Sequence, residues 1–187
     1  MASRIAAKST MADNIATIGT RLREVWLIGN LSTEPWSLTG APDFPFEAIP
    51  STFVPQGTVA KYSLVQSDIS LFWLTRNLQG QLIAVQTKGY GAERVSNHAI
   101  EAEWKNYTVV SDAIGSTYQI NGHTFVVWHF PTANKSWAYD LSVPGQWHQL
   151  AWTDENGELN RDRAVFYALA YDTNVGLDWE NGTLYEL

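Results

Sequence analysis

The sequence predicts an all-β fold, a partial β-propeller of about three and a half four-stranded blades with one short helix near residues 96–107. Three observations carry this expectation. A hairpin unit of aromatic and aliphatic strands recurs four times, and in the first three copies its anchors lie ten residues apart: Trp26 and Trp36, Trp73 and Ile83, Val127 and Trp137. From unit to unit the anchors step by 47 and then 54 positions, about the length of one propeller blade. Nine Trp against two Met, with 13% aromatic residues, suit a pleated, half-buried surface better than a helical bundle.

The unit is clearest from Ser70 to Gln86. Leu71 to Arg76 reads as one strand, Asn77-Leu78-Gln79-Gly80 as a turn, and Leu82 to Gln86 as the returning strand. In chain order, residues 1–22 read as a leader, either flexible or a short helix. Ser9 or Thr10 could cap that helix, with Ala12, Ile15, Ala16 and Ile18 within it and Gly19 at its end.

A propeller-like domain then spans 23–187, with blades at about 23–57, 58–110, 111–160 and 161–187. Arg23 to Asn30 is the first strand, and Glu34-Pro-Trp opens its partner. The segment from Gly40 to Gly57 is irregular, because Pro42, Pro45, Pro50 and Pro55 cannot join a central ladder. Its Phe44, Phe46 and Phe53 either fold back over an exposed sheet end or form a contact surface for another protein.

Alternation resumes at Thr58 and runs to Asp68 as the inner strand of the second blade. Ser96 to Tyr107 reads as the helix, capped by Ser96 or Asn97, with Ile100, Trp104 and Tyr107 on one face. The third blade runs through Asp112–Tyr118, His123–Phe130, Lys135–Leu141 and Gln146–Thr153, with the tight turn Asn121-Gly122 and a loop at Asp154-Glu-Asn-Gly. The fourth has strands at Ala164–Ala170, Val175–Trp179 and Thr183–Leu187, one fewer than the others. Such an array leaves blade faces open, to be covered by the leader, a second copy of the chain or a partner.

Composition narrows the function. The 187 residues are 45% hydrophobic, enough for a packed core, and a net charge of −7 argues against a basic nucleic-acid footprint. With no cysteine, thiolate catalysis and disulfide stapling are excluded. Neither a long apolar run nor a signal-type leader is present, so no membrane partner is expected.

Read in order, several stretches resemble the packaged-DNA stabilisation protein family of short-tailed phages, also called the tail accessory factor or tail hub. They are Arg23-Glu-Val-Trp-Leu-Ile-Gly-Asn with Glu34-Pro-Trp, Asp43-Phe-Pro-Phe-Glu, Ser70-Leu-Phe-Trp-Leu and Arg94-Val-Ser-Asn-His-Ala-Ile-Glu. Further on come Gly122-His-Thr-Phe, Phe130-Pro-Thr-Ala, Trp137-Ala-Tyr-Asp, Gln146-Trp-His and Asn181-Gly-Thr-Leu-Tyr-Glu-Leu. The resemblance implies a structural protein of the virion, in the tail or head-to-tail connector, made in the bacterial host cytoplasm. It would close the portal channel after DNA packaging and provide a docking platform for tail needle or fibres. The implied partners are copies of itself or the rest of a split propeller, and the portal and tail proteins, with packaged DNA in indirect proximity. Related proteins are considerably longer, which implies a fragment, a split-gene product or a minimal version.

A search for chemistry leads the same way: no enzyme, no cofactor and no metal are expected. His123 and His129 share a strand face, yet no carboxylate lies between them, and His98 and His148 lie elsewhere. No Gly-x-Ser-x-Gly elbow or phosphate-cradling glycine loop occurs. The alternative function is a carbohydrate-binding or glycoside-cleaving propeller. Asp68, Asp112 and Asp172 near inner-strand ends would then pair with Glu34, Asp43 or Glu47 as acid and base. Arg76, Arg94, Arg161 and Arg163 are too scattered to hold an anionic sugar. The recurring Trp anchors read as core rather than as sugar platforms. The residues expected to make protein contacts are Trp36, Asp43, Phe44, Phe46 and Phe53.

Overall fold

The computed structural model describes residues 11–187. Four antiparallel meanders follow one another along the chain. The first comprises β1 (Ile15–Arg21), β2 (Glu24–Gly29), β3 (Thr33–Leu38) and β4 (Phe46–Ala48). The second comprises β5 (Val65–Ser67), β6 (Ser70–Arg76), β7 (Leu82–Lys88) and β8 (Gly91–Arg94), and is followed by helix α1 (His98–Trp104). The third has five strands: β9 (Ile114–Ile120), β10 (His123–Phe130), β11 (Lys135–Asp140), β12 (Trp147–Thr153) and β13 (Leu159–Arg161). The fourth has three: β14 (Ala164–Ala170), β15 (Thr173–Asp178) and β16 (Leu184–Glu186). The first strand of each sheet meets the first strand of the next, β1 with β5, β5 with β9 and β9 with β14. Four small sheets thus stand in a ring as the blades of a propeller, each built from the axis outward.

The stretch Ser70–Gln86 shows why the sheets stack. On β6, Leu71 and Trp73 point to the first sheet, joining Trp26, Ile28, Val54, Ile83 and Val85 in one buried cluster. Phe72 and Leu74 point the other way and join Val65, Ala84, Val126, Trp128, Phe130 and Tyr139. A strand covered on both faces reads as a continuous apolar run, and this one does. The helix closes the second cluster from the rim with Ile100 and Trp104, and Asn97 caps it by accepting from the Ile100 N–H at 3.1 Å. Of the recurring anchors, Trp26, Trp73 and Val127 are fully buried, Ile83 and Trp36 nearly so, and Trp137 is half-buried.

Two indoles also tie the joints by hydrogen bonds. Trp73 Nε1 donates to the Gly57 carbonyl at 3.1 Å, and Trp128 Nε1 donates to the Ser63 carbonyl at 2.8 Å. Both carbonyls belong to the irregular approach to the second blade. There the expected strand from Thr58 shrinks to Val65–Ser67 because side chains occupy the ladder. Thr58 Oγ1 donates to the Ala60 carbonyl, Ser63 Oγ does the same, and Ser63 Oγ accepts from the Leu74 N–H.

The leader expected at 1–22 is different where it is described. Ile15–Arg21 is the innermost strand of the first blade, paired with β2, rather than part of a helix. Ile15, Thr17, Ile18 and Thr20 are β-branched and favour the extended state. Ser9 and Thr10, read as caps, lie outside the described residues. Two short strands, β4 inside the proline-rich segment and β13 after the loop at Asp154, also went unpredicted; three residues are too few to show a period. Asn121 and Gly122 adopt φ of 51° and 81°, the left-handed pair a tight hairpin needs.

At the joint between the second and third sheets, Gly115 donates its N–H to the Tyr62 carbonyl at 2.8 Å. A Cβ on Gly115 would fall 2.4 Å from Val65 Cγ2 and 2.7 Å from the Ser63 carbonyl oxygen. Gly115→Ala should therefore cost about 1–3 kcal/mol through overpacking, read as a lower thermal midpoint. Gly91→Ala, whose Cβ would meet only the Lys88 carbonyl at 3.5 Å, should change it little.

Candidate functional site

The five residues expected to make contacts all lie on the first sheet and the loops flanking β4. Trp36 on β3 is opposite Ala48 of β4, and Leu38 is opposite Phe46. Phe44 presents its edge to Trp36 at 6.1 Å and to Phe46 at 6.2 Å, so these three rings form one cluster at the sheet's outer edge. Trp36 is buried and Phe46 half-buried, while Phe44 stays 39% exposed. Beyond β4 the chain folds back, Val54 bridging to Thr33, and leaves Phe53 43% exposed. Asp43 sits in the exposed loop before Phe44. The two readings of the aromatic loop are therefore divided among its residues: Phe46 packs half-buried on the sheet edge, whereas Phe44 and Phe53 offer apolar surface.

The axial wall has different chemistry. Consecutive blades are bridged near the axis by neutral polar groups. Thr20 Oγ1 donates to Gln66 Oε1 at 3.0 Å, Thr117 Oγ1 lies 3.4 Å from Ser67 Oγ, and Asn174 Nδ2 donates to the Gln119 carbonyl at 2.6 Å. A cleft of about 500 Å³ opens between the second, third and fourth sheets, with Gln66, Asp68, Gln119, Asn121 and Asn174 on its walls. Among the inner strands β1, β5, β9 and β14 the charged side chain is Arg21. Its guanidinium donates to the carbonyls of Ile69 at 2.9 Å and Gly89 at 3.2 Å, and stands 5.8 Å from the Trp26 ring centre. It is committed to the joint with the second blade.

The carboxylates weighed for glycoside cleavage do not converge in that cleft, where Asp68 is the one that lines it. Asp112 Oδ2 accepts the Thr132 N–H at 2.8 Å, Asp172 occupies a tight turn with φ of 63°, and Glu34 is buried in the first sheet. Asp112 thus caps a turn through a backbone N–H.

The histidines divide similarly. His123 and His129 do lie on one face of β10, and a carboxylate reaches His123 from the neighbouring strand: Asp140 Oδ2 is 2.7 Å from His123 Nδ1. Burial pushes the Asp140 carboxyl up, but His123 and the N–H groups of Ser142 and Val143 outweigh it and hold its pKa below the usual value. His129 is wholly buried between Ser136 Oγ at 2.9 Å and Ser116 Oγ at 3.2 Å. Burial, helped by the charge of Arg161, lowers its pKa to about 3, so it is neutral. Among the described residues no group of three or more His, Asp or Glu is placed to hold a metal ion. His98 opens α1 with its ring in solvent, and His148 is exposed.

Sequence reasoning missed the joint between the third and fourth sheets. The Tyr167 ring packs tilted against Tyr118, their centres 4.6 Å apart, and its hydroxyl donates to Asp162 at 2.8 Å. Arg161 lies 3.7 Å over the Trp179 ring, and Arg163 lies 4.8 Å over Trp152. Arg163 also pairs with Asp178 at 2.7 Å and with Glu180 at 2.8 Å. Of the arginines expected to be scattered, Arg161 and Arg163 meet rings at this joint, while Arg76 stays on the Gly80 carbonyl and Arg94 pairs with Glu101. Arg161-Asp-Arg163 alone carries no local signal of this.

A family model described as bacteriophage P22 Gp10, beta-propeller, matches residues 2–187. No curated protein matches the sequence. Among solved structures, the computationally designed Ika4 protein is similar with a TM-score of 0.44 at 11% identity, over 100% of this chain and 98% of that one.

The neutral His129 sets a pH dependence. Its folded pKa of about 3 lies below the ordinary 6.5, so the unfolded chain binds the extra proton between those values. Stability from this group is full above pH 6.5 and is lost on acidification toward pH 3, at up to about 1.4 kcal/mol per pH unit. Denaturant titrations at stepwise lower pH should show that slope, and His129→Gln, which keeps a donor and an acceptor, should flatten it.

Proposed function

Because the chain belongs to the bacteriophage P22 Gp10 β-propeller family, a phage structural family with a DNA-stabilising role, we propose that it serves in the head-to-tail connector or tail hub. In this reading it obstructs the portal channel after packaging and offers a platform to tail needle or fibres. Its partners are further copies of the chain or other propeller portions, together with portal and tail proteins. The observation that carries this reading is the aromatic edge of the first sheet, where Phe44 and Phe53 hold apolar rings in solvent beside the packed Trp36 and Phe46. Exposed apolar clusters of this kind mark contact surfaces. Trp36, Asp43, Phe44, Phe46 and Phe53 form the proposed contact patch. The described residues contain no helix long and apolar enough to cross a membrane.

The neutral axial wall supports retention of DNA by obstruction rather than by gripping phosphates. Phosphate binding needs lysine and arginine free to replace counterions, and the inner strands offer amides and hydroxyls instead.

Two measurements test this. The Phe44→Ala, Phe53→Ala double variant should bind portal-bearing particles about tenfold more weakly, a loss of about 1.4 kcal/mol, while its thermal midpoint stays near the parent's. Unchanged binding would defeat the contact reading, and a thermal midpoint lowered by several degrees would assign these rings to the core. Duplex DNA titrated at near-physiological salt should bind no tighter than the ~10⁻⁴ M of weak non-specific complexes. Tight, salt-sensitive binding would show that phosphates are gripped after all.

A further inference from the structure

The two arginines at the joint of the third and fourth sheets are held alike and satisfied differently. Each lies over an indole, Arg161 at 3.7 Å from the Trp179 ring centre and Arg163 at 4.8 Å from that of Trp152. Arg163 has its side chain 27% exposed, and its fork is filled: Nε stands 2.7 Å from Asp178 Oδ2, and Nη2 stands 2.8 Å from Glu180 Oε2. Arg161 is only 8% exposed. Its backbone N–H donates to Asn134 Oδ1 at 3.0 Å, yet among the described residues neither a carboxylate nor a carbonyl accepts from its guanidinium.

A buried charge without a counter-ion is costly, because five donors give up water and gain no acceptor. Burial draws the Arg161 pKa down, and the charge of Asp112 offsets this from a distance too great for an ion pair. Asp112 Oδ2 is taken by the Thr132 N–H, and its Oδ1 is enclosed without a donor. An incoming anion therefore meets a donor fork and, nearby, one fixed negative charge, which favours an anion with a single charge over one with two. None of the Arg161 nitrogens is a fully enclosed, unpartnered atom, so the fork keeps an edge toward solvent, and Trp179 is itself 45% exposed.

The kind of anion follows from the neighbour two residues on, since Arg163, over its own indole, takes carboxylates. A planar carboxylate matches the guanidinium fork with two parallel hydrogen bonds. Residues 1–10 contain no Asp or Glu to supply one. The geometry points to Arg161 and Trp179 as a binding site for a single carboxylate, held by both its oxygens on the guanidinium edge with the indole behind the fork. A small free carboxylate and an acidic side chain of another polypeptide share this chemistry. The site does not depend on placement in the virion, and its failure would leave the connector reading standing.

Sodium acetate titrated into the isotope-labelled full chain tests the site, with the arginine Nε–H signals as readout and sodium chloride of equal ionic strength as control. One signal, identified by its loss in Arg161→Lys, should move saturably, half-way at about 10 mM acetate or below, and chloride should not move it. Acetate should also raise the thermal midpoint above that in chloride. Arg161→Lys keeps the charge without the fork and should need about tenfold more acetate for the same rise. If that variant fails to fold, Trp179→Leu should need at least about threefold more. A blocked glutamate peptide that binds about tenfold tighter than acetate supports the site with a polypeptide carboxylate as its ligand, and equal binding supports it with a small free one. Inorganic phosphate binding tighter than acetate overturns the carboxylate assignment. An Arg161 signal that acetate leaves in place overturns the site itself, and its movement in Asp112→Asn would then assign the fork to Asp112.

Discussion

A sheet of three to five short strands is stable in water only when it can cover a hydrophobic face, and the described residues form no larger sheet. Everything else in the structure follows from the need to bury two faces of each sheet against neighbours. This is why Trp73 and Phe72, adjacent in sequence, serve different clusters, and why the indoles of Trp73 and Trp128 find carbonyl partners in the segment that leads from one blade to the next. A buried indole N–H without an acceptor would weaken the joint its ring strengthens. The irregular stretch from Gly57 to Leu64 is shaped to supply those acceptors.

Where this demand is periodic, it is visible in the sequence. The hairpins of the second, third and fourth blades fall where alternation and turn residues place them, and His123–Phe130 and Ala164–Ala170 match the expected bounds. Where side chains replace the backbone ladder, as at Thr58 and Ser63, alternation persists but the strand does not. The strand at Ile15–Arg21 was hidden for another reason. Its partner β2 is close by, yet small and polar residues gave it an amphipathic spacing that a helix fits equally well, and pairing at the axis decided between them.

The candidate site was legible in part. The aromatic loop announced itself by composition, but which rings are covered depends on the three-residue strand β4 and on the bridge from Val54 to Thr33, neither of which has a local signature. The joint of Arg161 and Arg163 with Trp179 and Trp152 was invisible, because cation–ring contacts are set by how two sheets meet and not by spacing along either. His129 shows the converse: its place on the strand was evident, and only the close fit between Ser116 and Ser136 reveals a ring that must stay uncharged.

Each sheet is a meander of consecutive strands that starts at the axis and ends at the rim, and each packs on the sheet made just before it. No strand must wait for a distant part of the chain to complete its own blade. As the polypeptide leaves the ribosome, a finished sheet is already present as a template for the next, so assembly can proceed in the direction of synthesis, with the strands of each sheet joined in chain order. Among the described residues the second and third sheets are each packed between two neighbours, so protection against local opening should be greatest in the middle of the array.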